Sequence, residues 1–186
     1  MLTRKHQGFS LIELMTVLVI TAILIGFGMP SLQATMSRNA ITSEVLRLSR
    51  SLSFARSEAV NKQQVVTLNK KSATNRDWSE GWTSYTDAGG QGNQAINTAD
   101  GDLLLQDLTV TASNITMLSN ITGNNWITFS PQGRLMEAGP VVLAICDTAM
   151  SDRVAGSLIT ISLIGRVTST PIAATPAAAK AAACAP

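Results

Sequence analysis

The chain has 186 residues, and its 14 lysines and arginines slightly outnumber its 12 acidic residues. Two of the basic residues, Arg4 and Lys5, and the only histidine, His6, lie within residues 1–8, so the remainder is formally neutral and has no imidazole. This composition excludes Ser-His and Cys-His catalysis and histidine metal ligands beyond residue 8, and it does not favour nucleic-acid binding over the whole surface. We therefore predict no enzymatic activity, no cofactor and no metal site.

The chain begins with a basic leader, residues 1–8, which is followed by an apolar run over residues 9–29. As a helix rising about 1.5 Å per residue, this run would span roughly 32 Å, which matches a hydrocarbon core of about 30 Å. The run is longer than the apolar part of a secretory signal peptide, and residues 26–30 are a poor match to its small-residue cleavage site. The pattern favours a membrane-spanning helix over a cleaved signal peptide or a buried core helix.

Glu13 is the one charged residue in this apolar run. A carboxylate well inside a bilayer costs about 2.5–3.5 kcal/mol on insertion scales, so such a residue is a functional candidate. Cleavage of the chain after Gly8 would create an amine at Phe9, and that amine, on this chain or on a neighbour, would compensate the charge of Glu13.

Residues 8–13 read Gly-Phe-Ser-Leu-Ile-Glu, and this motif resembles the class III signal of type IV prepilins and type II secretion pseudopilins. The resemblance implies that a membrane prepilin peptidase cuts between Gly8 and Phe9 and that Phe9 becomes N-methylated. It implies that Glu13 recruits a subunit, or sets its register, against the amine of its neighbour. It also places Pro30 where many pilins have a proline that kinks the helix.

Beyond Pro30 the pattern becomes amphipathic, and we predict one long helix from residue 9 to residue 61. An apolar stripe recurs along it at steps of three and four residues. The stripe consists of Ile41, Val45, Leu48, Leu52, Ala55 and Ala59. The charged residues Arg38, Arg47, Arg50, Arg56 and Glu58 lie off this stripe. We interpret the arginines among them as a solvated face, with contact to neighbours in a filament as the alternative. The helix thus has a membrane-spanning first half, residues 9–30, and an amphipathic second half, residues 31–62, that packs on a globular domain.

After residue 62 the hydrophobic period falls towards two and turn residues multiply, which is typical of strands joined by short turns. The predicted strands cover residues 65–69, 82–86, 103–110, 126–130, 141–146 and 158–164. We expect an antiparallel β-sheet domain over residues 63–170, which makes the chain α+β. The Ala- and Pro-rich tail, residues 171–186, is expected to be loosely structured unless Cys184 attaches it to the domain.

The two cysteines, Cys146 and Cys184, are too far apart in sequence for a zinc motif. In an exported domain they can pair in an oxidising compartment. Such a bridge would close a loop of roughly 39 residues and would stabilise the domain by about 3–4 kcal/mol in the chain-entropy model. Two unrelated thiols are the alternative.

Stretches of the globular part resemble, in the same order, the GspH/FimT group of pilins. They are residues 56–60, 64–68, 78–82, 101–104, 129–134 and 161–166. The resemblance implies a pilin fold and favours a minor, tip-proximal subunit over the bulk pilin. The leading hypothesis is a minor type IV pilin of the FimU/FimT kind, a structural subunit of the complex that primes or caps the pilus. An H-type minor pseudopilin of a type II secretion system has the same fold and is an alternative.

A DNA-binding minor pilin for natural transformation is a further alternative. Some FimT-like pilins contact DNA through a Gly-Arg-x-Arg stretch, and here Arg166 occupies the first arginine position whereas Thr168 replaces the second. One guanidinium makes a single phosphate contact, and duplex affinity requires several. Arg166 is therefore a candidate DNA contact only, with a solvent-facing arginine in a turn as the simpler interpretation. Candidates to supplement it are Lys70, Lys71 and Arg76.

Two other groups of residues have a simple structural interpretation. Asp87, Asp100 and Asp102 offer the carboxylate oxygens that calcium prefers, but their spacing is not that of an EF-hand, and we interpret them as turn-forming residues. The larger aromatic residues are expected to lie in the core rather than to stack on bases. They are Trp78, Trp82, Tyr85 and Trp126.

Together these patterns predict a single-pass protein of the bacterial inner membrane with a periplasmic C-terminal domain, which is later incorporated into a pilus or pseudopilus. The expected partners are other minor and major pilins or pseudopilins, the prepilin peptidase and the inner membrane, with DNA as a further candidate.

Overall fold

The computed structural model describes residues 10–90, 96–123, 126–148, 154–172 and 177–186; the side chains of residues 27–31, 177, 178 and 180 are outside this description. The chain divides into two compact units, Met1–Met36 and Ser37–Pro186. Helix α1, Leu11–Lys62, contributes residues to both units. The prediction of one long N-terminal helix is therefore confirmed.

In the first unit, residues 10–26 are all exposed. Ser10 lies directly before α1, and its hydroxyl oxygen accepts a hydrogen bond from the N–H of Glu13 at 3.3 Å, as a helix N-cap residue does. Within the described residues, no helix combines the length and the apolar character needed to cross a membrane. The side chain of Pro30 lies outside the described residues, so its role in a helix kink stays a prediction.

In the second unit, the apolar stripe of α1 is buried as predicted. Its members are Ile41, Val45, Leu48, Leu52, Ala55 and Ala59. The charged residues beside it do not form one solvated face. Arg38 and Arg50 are exposed, but the half-buried Arg47 places its guanidinium carbon 5.9 Å from the ring centroid of Trp82. The half-buried Arg56 donates hydrogen bonds to two backbone carbonyls of the β-domain. The solvated-face interpretation is therefore wrong for Arg47 and Arg56.

The described strands form two four-stranded antiparallel sheets rather than a single one. The first sheet has the order β3-β2-β1-β5. Its strands are β1 (Val65–Lys70), β2 (Gly81–Asp87), β3 (Leu103–Thr109) and β5 (Trp126–Phe129). The second sheet has the order β4-β6-β7-β8. Its strands are β4 (Ile115–Ser119), β6 (Val141–Asp147), β7 (Gly156–Ile161) and β8 (Val167–Ile172).

All the predicted strands are present, with ends that differ by up to three residues, but β4 and β8 were not predicted. The predicted strand over residues 158–164 ends at Ile161, and residues 162–166 form a turn that leads into β8. The core lies among the stripe of α1 and the buried side chains of both sheets. The large side chains at its centre include Trp82, Phe129, Leu143 and Ile145.

The loop between β1 and β2 connects the two sheets. Arg76, at φ +67°, donates from its Nε to the carbonyl oxygen of Ser119 at the end of β4, at 2.6 Å. The loop is held from within by the buried Lys70, whose ammonium donates to the carbonyls of Ser72 and Thr74. Burial lowers the pKa of the Lys70 ammonium. Strand β4 therefore lies between this loop, to which it bridges through Asp77 and Leu118, and its ladder partner β6.

The tail is attached to the second sheet by the predicted disulfide. Cys146 of β6 and Cys184, directly after helix α2 (Ala177–Ala183), are bonded, with their Cα atoms 6.1 Å apart. A small apolar cluster surrounds the bond, and it consists of Ala144, Cys146, Leu158, Ile172, Ala183 and Cys184. At Gly156 an added Cβ would lie 2.7 Å from the sulfur of Cys146, so the glycine provides the space that the bond occupies. The prediction that Cys184 attaches the tail to the domain is confirmed.

Candidate assembly surfaces

Gly8 and Phe9, the predicted cleavage and methylation residues, lie outside the described residues. Glu13 is described, and it lies exposed in the first turn of α1. An acidic side chain is stabilised there by the unpaired N–H groups at the helix N-terminus. In the described part of the chain the Glu13 carboxylate makes no ion pair, so a counter-charge from another chain has free access to it.

The following turns of α1 present a continuous apolar surface. The large hydrophobic side chains between Leu11 and Ile25 are 53–78% exposed. The hydroxyls among them are satisfied inside the helix, since Thr16 donates to the carbonyl of Glu13 at 2.9 Å and Thr21 to that of Val17 at 2.7 Å. A helix that is apolar on all sides requires an apolar environment from lipid or from other helices. This segment is therefore a candidate surface for contact with lipid or with neighbouring subunits.

Two turns of the second unit repeat the same sequence pattern and the same hydrogen bonds. Residues 130–134 read Ser-Pro-Gln-Gly-Arg, and residues 162–166 read Ser-Leu-Ile-Gly-Arg; we call them the paired turns. In each turn the serine N–H donates to the arginine carbonyl, at 2.8 and 3.0 Å, and the glycine N–H donates to the serine carbonyl, at 2.8 and 2.7 Å. The serine hydroxyl oxygen accepts from the arginine N–H at 3.3 and 3.1 Å. The two glycines have φ of +71° and +75°, a conformation that glycine adopts without strain.

The paired turns pack directly against each other and against α1. A Cβ added at Gly165 would collide with the carbonyl oxygen of Gly133. The guanidinium of Arg56 donates to the carbonyl of Gly133 at 2.9 Å and to that of Ile164 at 3.2 Å. One side chain of α1 therefore holds both turns. The repeated Ser-x-x-Gly-Arg pattern, which we did not use as a predictor, is the sequence signal that could have identified this site.

The arginine that ends each of the paired turns is exposed. Among the described residues, the guanidiniums of Arg134 and Arg166 make no hydrogen bond or ion pair. The fold thus places Arg134, which was not predicted, near the predicted candidate Arg166.

The basic residues expected to supplement Arg166 are engaged elsewhere. The buried Lys70 and the half-buried Arg76 hold the β1–β2 loop, as described above. Lys71 pairs with Asp107 and donates to the hydroxyl of Thr109 at 2.8 Å. The aromatic residues Trp78, Trp82 and Tyr85 are buried, as predicted, and Trp126 is half-buried.

The carboxylates of Asp100 and Asp102 are bonded to neighbouring loop residues. Asp102 accepts hydrogen bonds from the N–H of Ala88 at 2.9 Å and from the N–H of Asn97 at 2.8 Å. Asp100 accepts from the side-chain amide of Asn97 at 2.5 Å. In the described ranges, no three potential metal ligands lie close enough together to hold an ion. The interpretation of Asp100 and Asp102 as turn-forming residues agrees with these contacts.

Glu137, which the sequence did not single out, is a half-buried acid in the turn between β5 and β6. One oxygen accepts from the N–H of Thr128 at 2.7 Å, and the other has no hydrogen-bond partner among the described residues. Burial raises the pKa of the Glu137 carboxyl to about 7, although backbone hydrogen bonds act in the opposite direction. This carboxyl therefore titrates near neutral pH.

A family model described as Type II transport protein GspH matches residues 44–164, which is about two thirds of the chain. The chain belongs to this family. A second model, the prokaryotic N-terminal methylation motif, matches residues 3–29. The two matches cover nearly all of the segments that carried the predicted resemblance, and they confirm it.

Solved structures agree with the assignment to the GspH family. The crystal structure of the type IV minor pilin FimU of Pseudomonas aeruginosa is 25% identical, with a TM-score of 0.56 over 72% of this chain and 90% of that chain. The structure of the minor pseudopilin EpsH from the type II secretion system of Vibrio cholerae is 12% identical, with a TM-score of 0.51 over 70% of this chain and 95% of that chain. At that identity the likeness to EpsH concerns the fold alone. A search of curated protein sequences gives no significant match.

The predicted pilin fold is therefore confirmed, and this GspH-family chain is a minor pilin or minor pseudopilin. Its role is structural, as a subunit in the assembly of a pilus or pseudopilus. The family is one of structural proteins.

Proposed function

We propose that this chain is the precursor of a minor type IV pilin, a subunit of the complex at the pilus tip that is needed to initiate assembly. The observation that carries the proposal is the presence, in one chain, of a methylation motif over residues 3–29 and a GspH domain over residues 44–164, with α1 extending across both. The likeness to FimU, which is closer in sequence than the likeness to EpsH, supports a pilus over a secretion system.

The precursor would be processed at the inner membrane. The prepilin peptidase cuts between Gly8 and Phe9, and Phe9 is methylated. Before assembly, residues 9–30 anchor the protein in the membrane and residues 63–170 lie in the periplasm. The exposed apolar side chains from Leu11 to Ile25 support this proposal, because they need lipid before assembly and helix neighbours after it.

Glu13 would set the register of the subunit in the filament. Its carboxylate lies within an apolar surface, where a lone charge is costly and a paired charge is tolerated. The amine that cleavage creates at Phe9 of a neighbouring subunit is the counter-charge. A subunit is thus stabilised only at the position where this amine meets Glu13, and this requirement selects one register among many equally apolar ones.

The proposal is tested in the native host with Gly8→Ala and Glu13→Ala, and with Glu80→Ala as an exposed acidic control. We expect mass spectrometry of the membrane-extracted wild-type protein to find N-methylated Phe9 as the first residue. The Gly8 variant should retain its leader, and the Glu13 variant should be cleaved but absent from sheared surface filaments. An intact leader on the wild-type protein, or wild-type amounts of the Glu13 variant in filaments, would contradict the proposal.

A deletion strain separates the pilus from the secretion system. We expect the deletion strain to lose its surface pili and to continue type II secretion of an exported enzyme. Returning the gene should restore the pili and leave secretion unchanged. The opposite result, normal pili with blocked secretion, would assign the chain to a pseudopilus.

A further inference from the structure

The paired turns carry an exposed surface to which the proposed function gives no role. We call this surface the turn patch. Its members are Val60, Arg134, Met136, Leu163, Ile164 and Arg166. The four apolar members are 41–63% exposed, Val60 lies beside Gly133, and Leu163 and Ile164 lie within the second turn.

The two arginines of the turn patch are held close together. The backbones of Gly133 and Gly165 touch, and each arginine directly follows one of these glycines. Because consecutive Cα atoms are about 3.8 Å apart, the Cα atoms of Arg134 and Arg166 lie within about 10 Å of each other. The serine hydroxyls and Arg56 hold both turns, so the spacing of the arginines is built into the fold.

The charge of the turn patch is not compensated within the described residues. Arg134 and Arg166 add two positive charges to this surface, and no acidic side chain among those residues pairs with either one. Each guanidinium is suited to a bidentate contact with a carboxylate or a phosphate. The complementary surface is therefore anionic.

The apolar side chains of the turn patch indicate whether its partner is a protein or a nucleic acid. Binding of nucleic acid depends on many cations along the phosphate backbone and on aromatic side chains that stack on bases. The turn patch has two exposed cations and no aromatic residue, and its remaining surface is aliphatic or thioether. The third guanidinium at the turns, that of Arg56, is bound to backbone carbonyls. Arginine and methionine beside exposed aliphatic groups are typical of protein–protein interfaces.

We propose that the turn patch docks a neighbouring pilin-type subunit, whose surface presents carboxylates beside aliphatic side chains. The proposal rests on the proposed function, since it takes its partner from the same filament. Carboxylates of the partner pair with Arg134 and Arg166, and its apolar side chains cover Leu163 and Ile164.

The test uses the full-length protein in its native host, with the photo-crosslinker p-benzoylphenylalanine in place of Ile164. The control position is Leu103, which is similarly exposed, at 55%, on the edge of the first sheet. We expect light to produce an adduct from position 164 in which mass spectrometry identifies a pilin-type subunit, and none from position 103. Combined Arg134→Glu and Arg166→Glu should reduce the adduct about tenfold or more, because like charges across an interface are strongly unfavourable. Arg50→Glu, which reverses an exposed arginine outside the turn patch, should leave it unchanged.

The variants must first be shown to be folded, by wild-type abundance and by an intact Cys146–Cys184 bond on non-reducing gels. Absence of an adduct, an adduct with a protein that is not pilin-like, or an adduct that the double charge reversal leaves intact would overturn the docking proposal. So would salt-dependent retention of a labelled DNA duplex by the detergent-solubilised wild-type protein that is lost with Arg134→Ala and Arg166→Ala, because the turn patch would then be a nucleic-acid site. If the wild-type protein enters sheared filaments without an adduct, docking fails and the proposed function stands. If it is absent from filaments as well, both fail.

Discussion

Arg56 connects α1 to two turns that are distant from it in sequence, through the single planar group of its guanidinium. Its Nε and Nη2 atoms donate to carbonyls of Gly133 and Ile164, which come from different turns of the β-domain. Hydrogen bonds from a charged donor contribute about 1.5–3 kcal/mol each at partly buried sites. The guanidinium therefore stabilises the packing of the paired turns, in addition to the close approach that the two glycines allow.

We expect Arg56→Ala to lower the free energy of unfolding of the second unit by about 2–3 kcal/mol, because both carbonyls lose their donor. Arg56→Lys should lose more than half as much, since an ammonium cannot reproduce the fork that reaches two carbonyls. Urea unfolding of the detergent-solubilised chain, followed by tryptophan fluorescence, measures both. Arg50→Lys, at an exposed position of the same helix, should change the stability by less than about 0.5 kcal/mol. Equal stability of wild type and Arg56→Lys would show that the positive charge, and not the pair of hydrogen bonds from one guanidinium, stabilises the turns.

Glu137 gives the domain a defined pH dependence. Its pKa rises from 4.5 to about 7 on folding, so the folded state binds the proton more tightly than the unfolded state does. The stability that this group contributes is complete below pH about 4.5 and is lost as the pH rises to about 7, by on the order of 2–3 kcal/mol. Glu137→Gln keeps an acceptor for the N–H of Thr128 and cannot ionise.

We therefore expect Glu137→Gln to match wild type at pH 4 and to exceed its stability by about 2–3 kcal/mol at pH 8. Unfolding free energies measured across this range give the difference between the two proteins, and the contributions of the other acids cancel. Glu80→Gln, at an exposed position, should not produce this pattern. A difference that is the same at pH 4 and pH 8 would contradict a raised pKa.

At the scale of elements, the helices and strands that depend on local hydrophobic periodicity could be predicted from the sequence. The buried stripe of α1 follows from steps of three and four residues, and strands such as β6 follow from apolar runs bounded by turns. Strand β8 was missed because most of its side chains are exposed and it contains Pro171, which an edge strand tolerates. The division into two sheets depends on pairings between strands far apart in sequence, and no local pattern encodes them.

The contribution of the disulfide between β6 and the tail to stability can be measured. We expect Cys146→Ala with Cys184→Ala, or reduction of the wild type, to lower the stability by about 3–4 kcal/mol. Lys180, the one tryptic site after Arg166, should then be cleaved faster, because the bond and its apolar cluster no longer hold α2. Urea unfolding and timed trypsin digestion measure the two effects, with Gly139→Ala, where a Cβ meets open space, as a control for unrelated changes. Unchanged stability and an unchanged cleavage rate would show that the tail is held without the bond.

At the scale of the molecule, the fold class and the assembly motif could be predicted from the sequence, whereas the turn patch could not. The motif at residues 8–13 is a contiguous signal with a specific chemistry, and its family was confirmed. The turn patch combines Val60 of α1 with two turns that are 32 residues apart, and only the fold brings them together. The disulfide was predictable because a chain with two cysteines offers one intramolecular pairing.

The two units should differ in solution behaviour. The second unit has its own core, whereas the helix of the first unit exposes apolar side chains on all sides. We expect a fragment that starts at Ser37 to be a soluble monomer with the Cys146–Cys184 bond, and the full chain to stay monodisperse only in detergent. Size-exclusion chromatography with light scattering measures both. A fragment that aggregates, or a full chain that is monomeric without detergent, would contradict this division.

The contact of Arg56 with both turns also has a mechanical consequence. Force applied along α1 must reach the paired turns through contacts that resist sliding. The two hydrogen bonds of Arg56 start from one rigid group and end on adjoining turns, so that shear along the helix loads them together rather than one after the other. Arg56 would thus resist sliding of α1 past the paired turns.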